Sequence, residues 1–112
     1  MARERLRTRV LTGIGRKGRA LLQRQSFAEA IEVFEAGVEI DPVAEDCYCH
    51  LMRCHLALGQ INDGLAVYRR CQSQLATVLR VAPSAETRQL HLQLRARAET
   101  TLGACAALVR IG

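Results

Sequence analysis

Shifted by 34 residues, the chain falls on itself: Ala30 superposes on Gly64, Phe34 on Tyr68 and Gly37 on Cys71. In each copy a small residue, an aromatic and a second small residue stand at i, i+4 and i+7, which is one face of a helix. A period of this length belongs to stacked helix hairpins, in which one hairpin cannot cover its own apolar face and shares a core with the next. The small residues let a partner helix approach, and the aromatic fills the space between one hairpin and the following one. In the first copy Gly18 falls where two helices cross closely, and Pro42 closes the unit. An accidental match in a Leu- and Ala-rich chain is the competing explanation; the pairing of aromatic with aromatic argues against it.

Apolar residues recur at helical spacing nearly throughout, and no stretch alternates with period two for long enough to make a strand. The expected fold class is therefore all-α, a stack of antiparallel helix pairs with about five helices. With 112 residues there is room for one domain, residues 1–112, divided into pairs at about 3–40 and 43–80 and a final helix at about 84–109. The first helix gathers Val10, Leu11, Ile14, Leu21 and Leu22 in one sector, with Arg5, Arg9, Arg16 and Arg19 opposite. Gly13, Gly15 and Gly18 either weaken or break its middle, or mark a close helix approach. Ser26 and Glu29 have the spacing of a capping box for the second helix. Asp41-Pro42 stops that helix and starts the third, with Pro in a first turn, and Gly59 ends the third as a left-handed cap. Asn62 is the expected N-cap of the fourth helix, whose face carries Leu65, Tyr68, Cys71, Leu75 and Leu79. Ser84 caps the fifth, with Glu86 near the positive end of its dipole and Leu90, Leu94, Ala98, Leu102 and Cys105 down its stripe.

The charge is segregated along the chain. Residues 1–24 carry eight bases against the lone acid Glu4, and residues 25–46 carry seven acids and no base. Such asymmetry marks a nucleic-acid or membrane surface, or else a basic helix packed beside an acidic one so that the two fields largely cancel. Five cysteines, an odd number interleaved with apolar residues, fit a reduced protein of the cytoplasm rather than a disulfide scaffold. Neither a signal peptide nor a membrane-spanning run is legible, so no membrane partner is expected.

The helical register resembles the tetratricopeptide repeat, and a narrower resemblance follows from particular residues. Ala30, Ile40-Asp41-Pro42, Glu45, Leu51-Met52-Arg53, Leu58-Gly59, Leu65, Tyr68, Leu75 and the run Ala82-Pro83-Ser84-Ala85-Glu86-Thr87-Arg88-Gln89-Leu90 resemble the bacterial transcriptional activator domain over roughly residues 18–95. Where members of that family usually have Glu-Leu-Gly-Val before the Pro, this chain has Val78-Leu79-Arg80-Val81, so the join between the fourth and fifth helices is expected to run longer or bend differently. The resemblance implies a regulatory, non-enzymatic domain that holds subunits together or communicates with the transcription machinery or an effector domain. It also implies that DNA is read by a separate winged-helix domain, absent from this chain. A freestanding tetratricopeptide adaptor is the alternative.

The densest chemical cluster is Cys47-Tyr48-Cys49-His50-Leu51-Met52-Arg53-Cys54-His55. Cys47, His50 and Cys54 share a helical face, as metal ligands would, but the spacing matches no known zinc pattern, and small thiols packed between helices explain it as well. Cys49 points away from the apolar stripe and, if exposed, is a candidate reactive thiol. The three histidines carry no accompanying catalytic motif, so neither an enzyme nor a cofactor is expected; His50 and His91 read as exposed and His55 as wedged between helices. The bases of the first helix offer phosphate contacts of a weak, sequence-blind kind, for which a gel shift at moderate salt is expected to show nothing. The favoured site is a protein-binding groove. By the repeat register Gly15 and Arg19 face it from the first pair, Asp46, Cys49 and Arg53 from the second, and Arg88 and His91, with Arg95, from the fifth helix. Its arginines suit an acidic peptide or carboxylate, or are merely solvated.

Overall fold

The computed structural model of the chain describes the backbone of residues 2–111 and the side chains of residues 3–100. Five helices follow one another: α1 (Ala2–Gln23), α2 (Phe27–Ile40), α3 (Glu45–Ala57), α4 (Ile61–Gln74) and α5 (Ala85–Ile111). A π-helical turn at Leu75–Leu79 continues α4, and there is no strand among the described residues. Each helix packs antiparallel on the next, and α3 also packs on α5, to which it runs parallel. The result is a stack of helix pairs, α1 with α2 and α3 with α4, ending on the unpaired α5.

The two repeat aromatics occupy matching sites. Phe34 of α2 is buried and stacks on His50 of α3, with ring centroids 4.6 Å apart. Tyr68 of α4 is buried and stacks on His91 of α5 at 3.9 Å. Each ring thus bridges its own pair to the first helix of the next. A Cβ at Gly18 would clash with the tip of the Phe34 ring, one at Gly37 would lie 2.7 Å from Cys47 Sγ, and one at Gly64 would lie 2.6 Å from Leu94 Cδ2. The framework glycines therefore stand where neighbouring helices come closest, while Ala30 and Cys71 are wholly buried. Leu51, Met52, Leu75 and Leu94 complete the continuous core, each contributing on the order of 1.5–3 kcal/mol by leaving water.

A further correspondence lies in the turns. Gln25 and Gly59, one period apart, both adopt the left-handed conformation (φ 58° and 73°). Ser26 N–H bonds to Leu21 C=O and Gln25 N–H to Leu22 C=O, as Gln60 N–H does to His55 C=O and Gly59 N–H to Leu56 C=O. This is the same Schellman closure twice.

Several local expectations are corrected. Ser26 is the N-cap of α2, but its side chain makes no capping bond, so the capping box is not formed. The N-cap of α4 is Gln60, not Asn62, which lies inside the first turn; Gln60 is one period from Ser26, so the repeat sets this boundary. Pro42 lies in the turn before α3 rather than in its first helical turn, and Asp41 Oδ1 accepts from Val43 N–H to shape that turn. Val10 is exposed because α1 turns it away from α2. Leu79 is exposed because the second pair has Leu75-Ala76 where the first has Asp41-Pro42: α4 runs on, widens into the π turn, and loses the 3.6-residue register. Arg80 then reverses the chain at φ 56°, in the left-handed region, where the resembled family carries Gly. Ser84 does begin α5, its Oγ accepting from Thr87 N–H at 3.5 Å. Leu102 and Cys105, assigned to the α5 stripe, lie outside the described side chains.

Candidate functional site

The inner side of the stack is formed by α1, α3 and α5, and it is built around one polar clamp. Glu45, Cys49 and Arg53 stand at i, i+4 and i+8 on α3, a single helical row that faces the start of α5. Glu45 Oε2 accepts from Ser84 N–H at 2.8 Å and from the Thr87 hydroxyl. Having given its proton to Glu45, the Thr87 oxygen accepts from the Cys49 thiol at 3.1 Å and the Ser84 hydroxyl at 3.2 Å. Arg53 donates to Glu86, completing the row. Partial burial works against ionisation of Glu45, but the hydrogen bonds from Thr87 and Ser84 outweigh it and hold the carboxyl below its usual range. The Pro-Ser-x-Glu-Thr run and Glu45, separated by about 40 residues in sequence, are two halves of this clamp.

On either side of α3 the inner face opens. A cleft of about 590 Å³ between α1 and α3 is lined by Thr8, Leu11, Thr12, Gly15, Arg19, Asp41, Glu45, Asp46 and His50, with Phe34 and Cys47 at its floor. A second, of about 510 Å³ between α3 and α5, is lined by Arg53, Leu56, Glu86, Gln89, Gln93 and Arg97. The outer side carries a third, of about 600 Å³ between α2 and α4, where Arg70 makes a bidentate bond to Glu35 and the Tyr48 hydroxyl donates to Pro42 C=O at 2.7 Å.

Of the residues assigned to a groove, Gly15, Arg19 and Asp46 meet in the first cleft, and Arg53 lies in the second, held by Glu86. Cys49 is not on the wall: it is buried behind Thr87, and burial raises its thiol pKa, which removes the reactive-thiol reading. His91 faces α4 against Tyr68, and Arg88 and Arg95 are exposed but line neither cleft. The error is one of register. Arg88, His91 and Arg95 lie 42 residues beyond Asp46, Cys49 and Arg53, whereas Glu45 opens α3 and Ala85 opens α5 only 40 residues on; the offset of 40 carries Asp46, Cys49 and Arg53 onto Glu86, Gln89 and Gln93, the positions that do line the cleft. Thr8, Thr12, His50, Gln89, Gln93 and Arg97 are wall residues that spacing alone missed.

His50 and His91 are partly buried by their stacking partners rather than exposed. Burial lowers both pKa values, and neighbouring arginines add to the effect. His55 is buried as expected, its Nδ1 2.9 Å from Gln60 Oε1. Burial pushes the Cys54 thiol up to about 11 and Cys71 up to about 12. Cys47, His50 and Cys54 do not converge, and no group able to hold a metal occurs among the described residues.

No helix among the described residues is long and apolar enough to cross a membrane. Neither a curated protein nor a solved structure matches the chain. A family model, that of the bacterial transcriptional activator domain, matches residues 1–95. That stretch includes both helix pairs and the whole α3–α5 clamp, with Glu45 meeting Ser84 and Thr87 inside it, and the chain belongs to the bacterial transcriptional activator domain family.

Proposed function

We propose that this domain works without catalysis, as a protein-contact module of a transcription regulator, and that its inner face joins regulator subunits or meets the transcription machinery. The observation that supports the reading is the uncovered inner face: α1, α3 and α5 leave two adjacent clefts that no other described element fills. Stacked hairpins use such concave walls for partners, and a stack of two and a half pairs has exposed end faces that favour self-association. The acidic-peptide adaptor is the weaker reading, because Arg19 shares its cleft with Asp41, Glu45 and Asp46, and Arg53 is already held by Glu86.

Two measurements test the proposal together. Light scattering across a wide concentration range is expected to give a mass above the 12.4 kDa of one chain. Chemical-shift mapping with bacterial RNA polymerase is expected to move resonances along both clefts. A chain that stays monomeric throughout and whose cleft resonances ignore the polymerase overturns the reading.

A further inference from the structure

On its solvent side α1 carries a row of arginines that make no ion pair among the described residues, with Glu4 the one acid beside them. Arg5, Arg9 and Arg16 stand at i, i+4 and i+11, one line along a helix. They and the flanking Arg3 and Lys17 are all exposed, and none of the five takes part in an ion pair among the described residues. Contact makes little of the expected cancellation between α1 and α2. Among the described residues one ion pair joins the two charge blocks, from Arg7 to Asp41 at 3.6 Å, with Arg7 also donating to Ile40 C=O at 2.8 Å. Of the α2 acids, Glu35 is paired with Arg70 of α4, while Glu29, Glu32 and Glu39 are exposed.

We propose that this row binds the phosphate backbone of duplex DNA without reading its sequence. The inference concerns a different surface from the clefts and goes beyond the protein-contact reading. Guanidinium forks match phosphate oxygens, and unpaired ones need break no ion pair to do so. From Arg5 to Arg16 the row spans roughly 16 Å at 1.5 Å per residue, about the length of five phosphates of one strand. Residues 1–24 contain no aromatic side chain on which an unpaired base could stack, which points to a duplex rather than a single strand. A lipid surface fits poorly, since Leu11, Ile14, Leu21 and Leu22 are turned into the fold and, among the described large apolar residues of α1, only Leu6 and Val10 remain exposed for insertion. In a transcription-regulator domain such a row supplies a salt-sensitive foothold beside whatever reads the operator.

The test is fluorescence anisotropy of a labelled duplex of arbitrary sequence, titrated with the full chain at low salt and repeated as NaCl is raised. Three to four phosphate contacts predict a slope of about −3 in log Kd-derived affinity against log salt. The variant Arg5→Ala/Arg9→Ala/Arg16→Ala is expected to keep its helical circular-dichroism spectrum, to bind at least about tenfold more weakly and to lose most of that slope. No duplex binding at low salt, or a triple variant that binds with unchanged affinity and slope, overturns the proposal. So does retention on phosphatidylglycerol vesicles without duplex binding, or a variant that loses only self-association, which would assign the row to the acidic α2 of a second copy. The polymerase mapping of the clefts is independent of all these outcomes; only loss of self-association would also move the subunit contact from the inner face to α1.

Discussion

The α3–α5 clamp makes a quantitative prediction for Thr87→Val. Valine keeps the shape of a side chain that is wholly buried but removes the hydroxyl that donates to Glu45 and accepts from Cys49 and Ser84. A hydrogen bond to a charged group contributes about 1.5–3 kcal/mol, so the variant is expected to lose that much at neutral pH, a fall in Tm of roughly 6–12 °C for a domain of this size. The pH dependence carries the sharper test. Glu45 has its folded pKa depressed below the ordinary carboxylate value of about 4.3. Its contribution is thus fully present above that value and is lost as pH falls through the lower, folded one. In acid the clamp becomes a neutral hydrogen bond of about 0.5–1.5 kcal/mol, and the gap between the two chains should narrow accordingly. Thermal melts followed by circular dichroism at neutral pH and stepwise into acid, until the gap between the two chains stops changing, give both numbers, and Glu45→Gln, which keeps an acceptor without the charge, should show the reduced gap throughout. A loss under about 0.5 kcal/mol at neutral pH, or one that is the same in acid, would show that Thr87 and the Glu45 charge do not support each other.

Three further outcomes follow from named positions. Gly18→Ala should destabilise by about 1–3 kcal/mol, because its Cβ meets the Phe34 ring, whereas Gly13→Ala, which meets nothing, should stabilise by about 0.5–1 kcal/mol; equal effects in urea melts would refute the assigned helix crossing. Arg80→Gly should stabilise by up to about 1 kcal/mol through relief of its left-handed backbone, and a loss of stability would mean that the side chain contributes more than the strain costs. In a Cys105→Ser background, Cys47, Cys49, Cys54 and Cys71 should react with a thiol reagent only as fast as the fold opens, since all four are buried; fast labelling of any of them in native buffer would contradict that burial.

The helix pairs were legible because a 34-residue period repeats the residues that touch across them: Phe34 and Tyr68 both stack on the next helix, and the small residues Ala30 and Gly64, like Gly37 and Cys71, are buried in both copies. Such contacts are local in register, so patterning alone reports them. The turn at Gln25 was invisible, since only its partner Gly59 advertises a left-handed residue. The α5 part of the site was misread for another reason. Leu75-Ala76 in place of Asp41-Pro42 lets α4 overrun into a π turn, and the offset that this creates between α3 and α5 has no signature in composition or spacing.

Amphipathic spacing and the repeat were thus sufficient for an all-helical stack, its pairing and most of its core, because burying one face of each helix leaves few other solutions. Which side chains share the inner face was settled by packing at a distance: by Glu45 reaching Ser84 and Thr87, by Cys49 being covered behind them, and by Arg19 of α1 meeting Asp46 in the first cleft. Those outcomes depend on how far one helix is rotated and shifted against another, which a one-dimensional pattern does not encode.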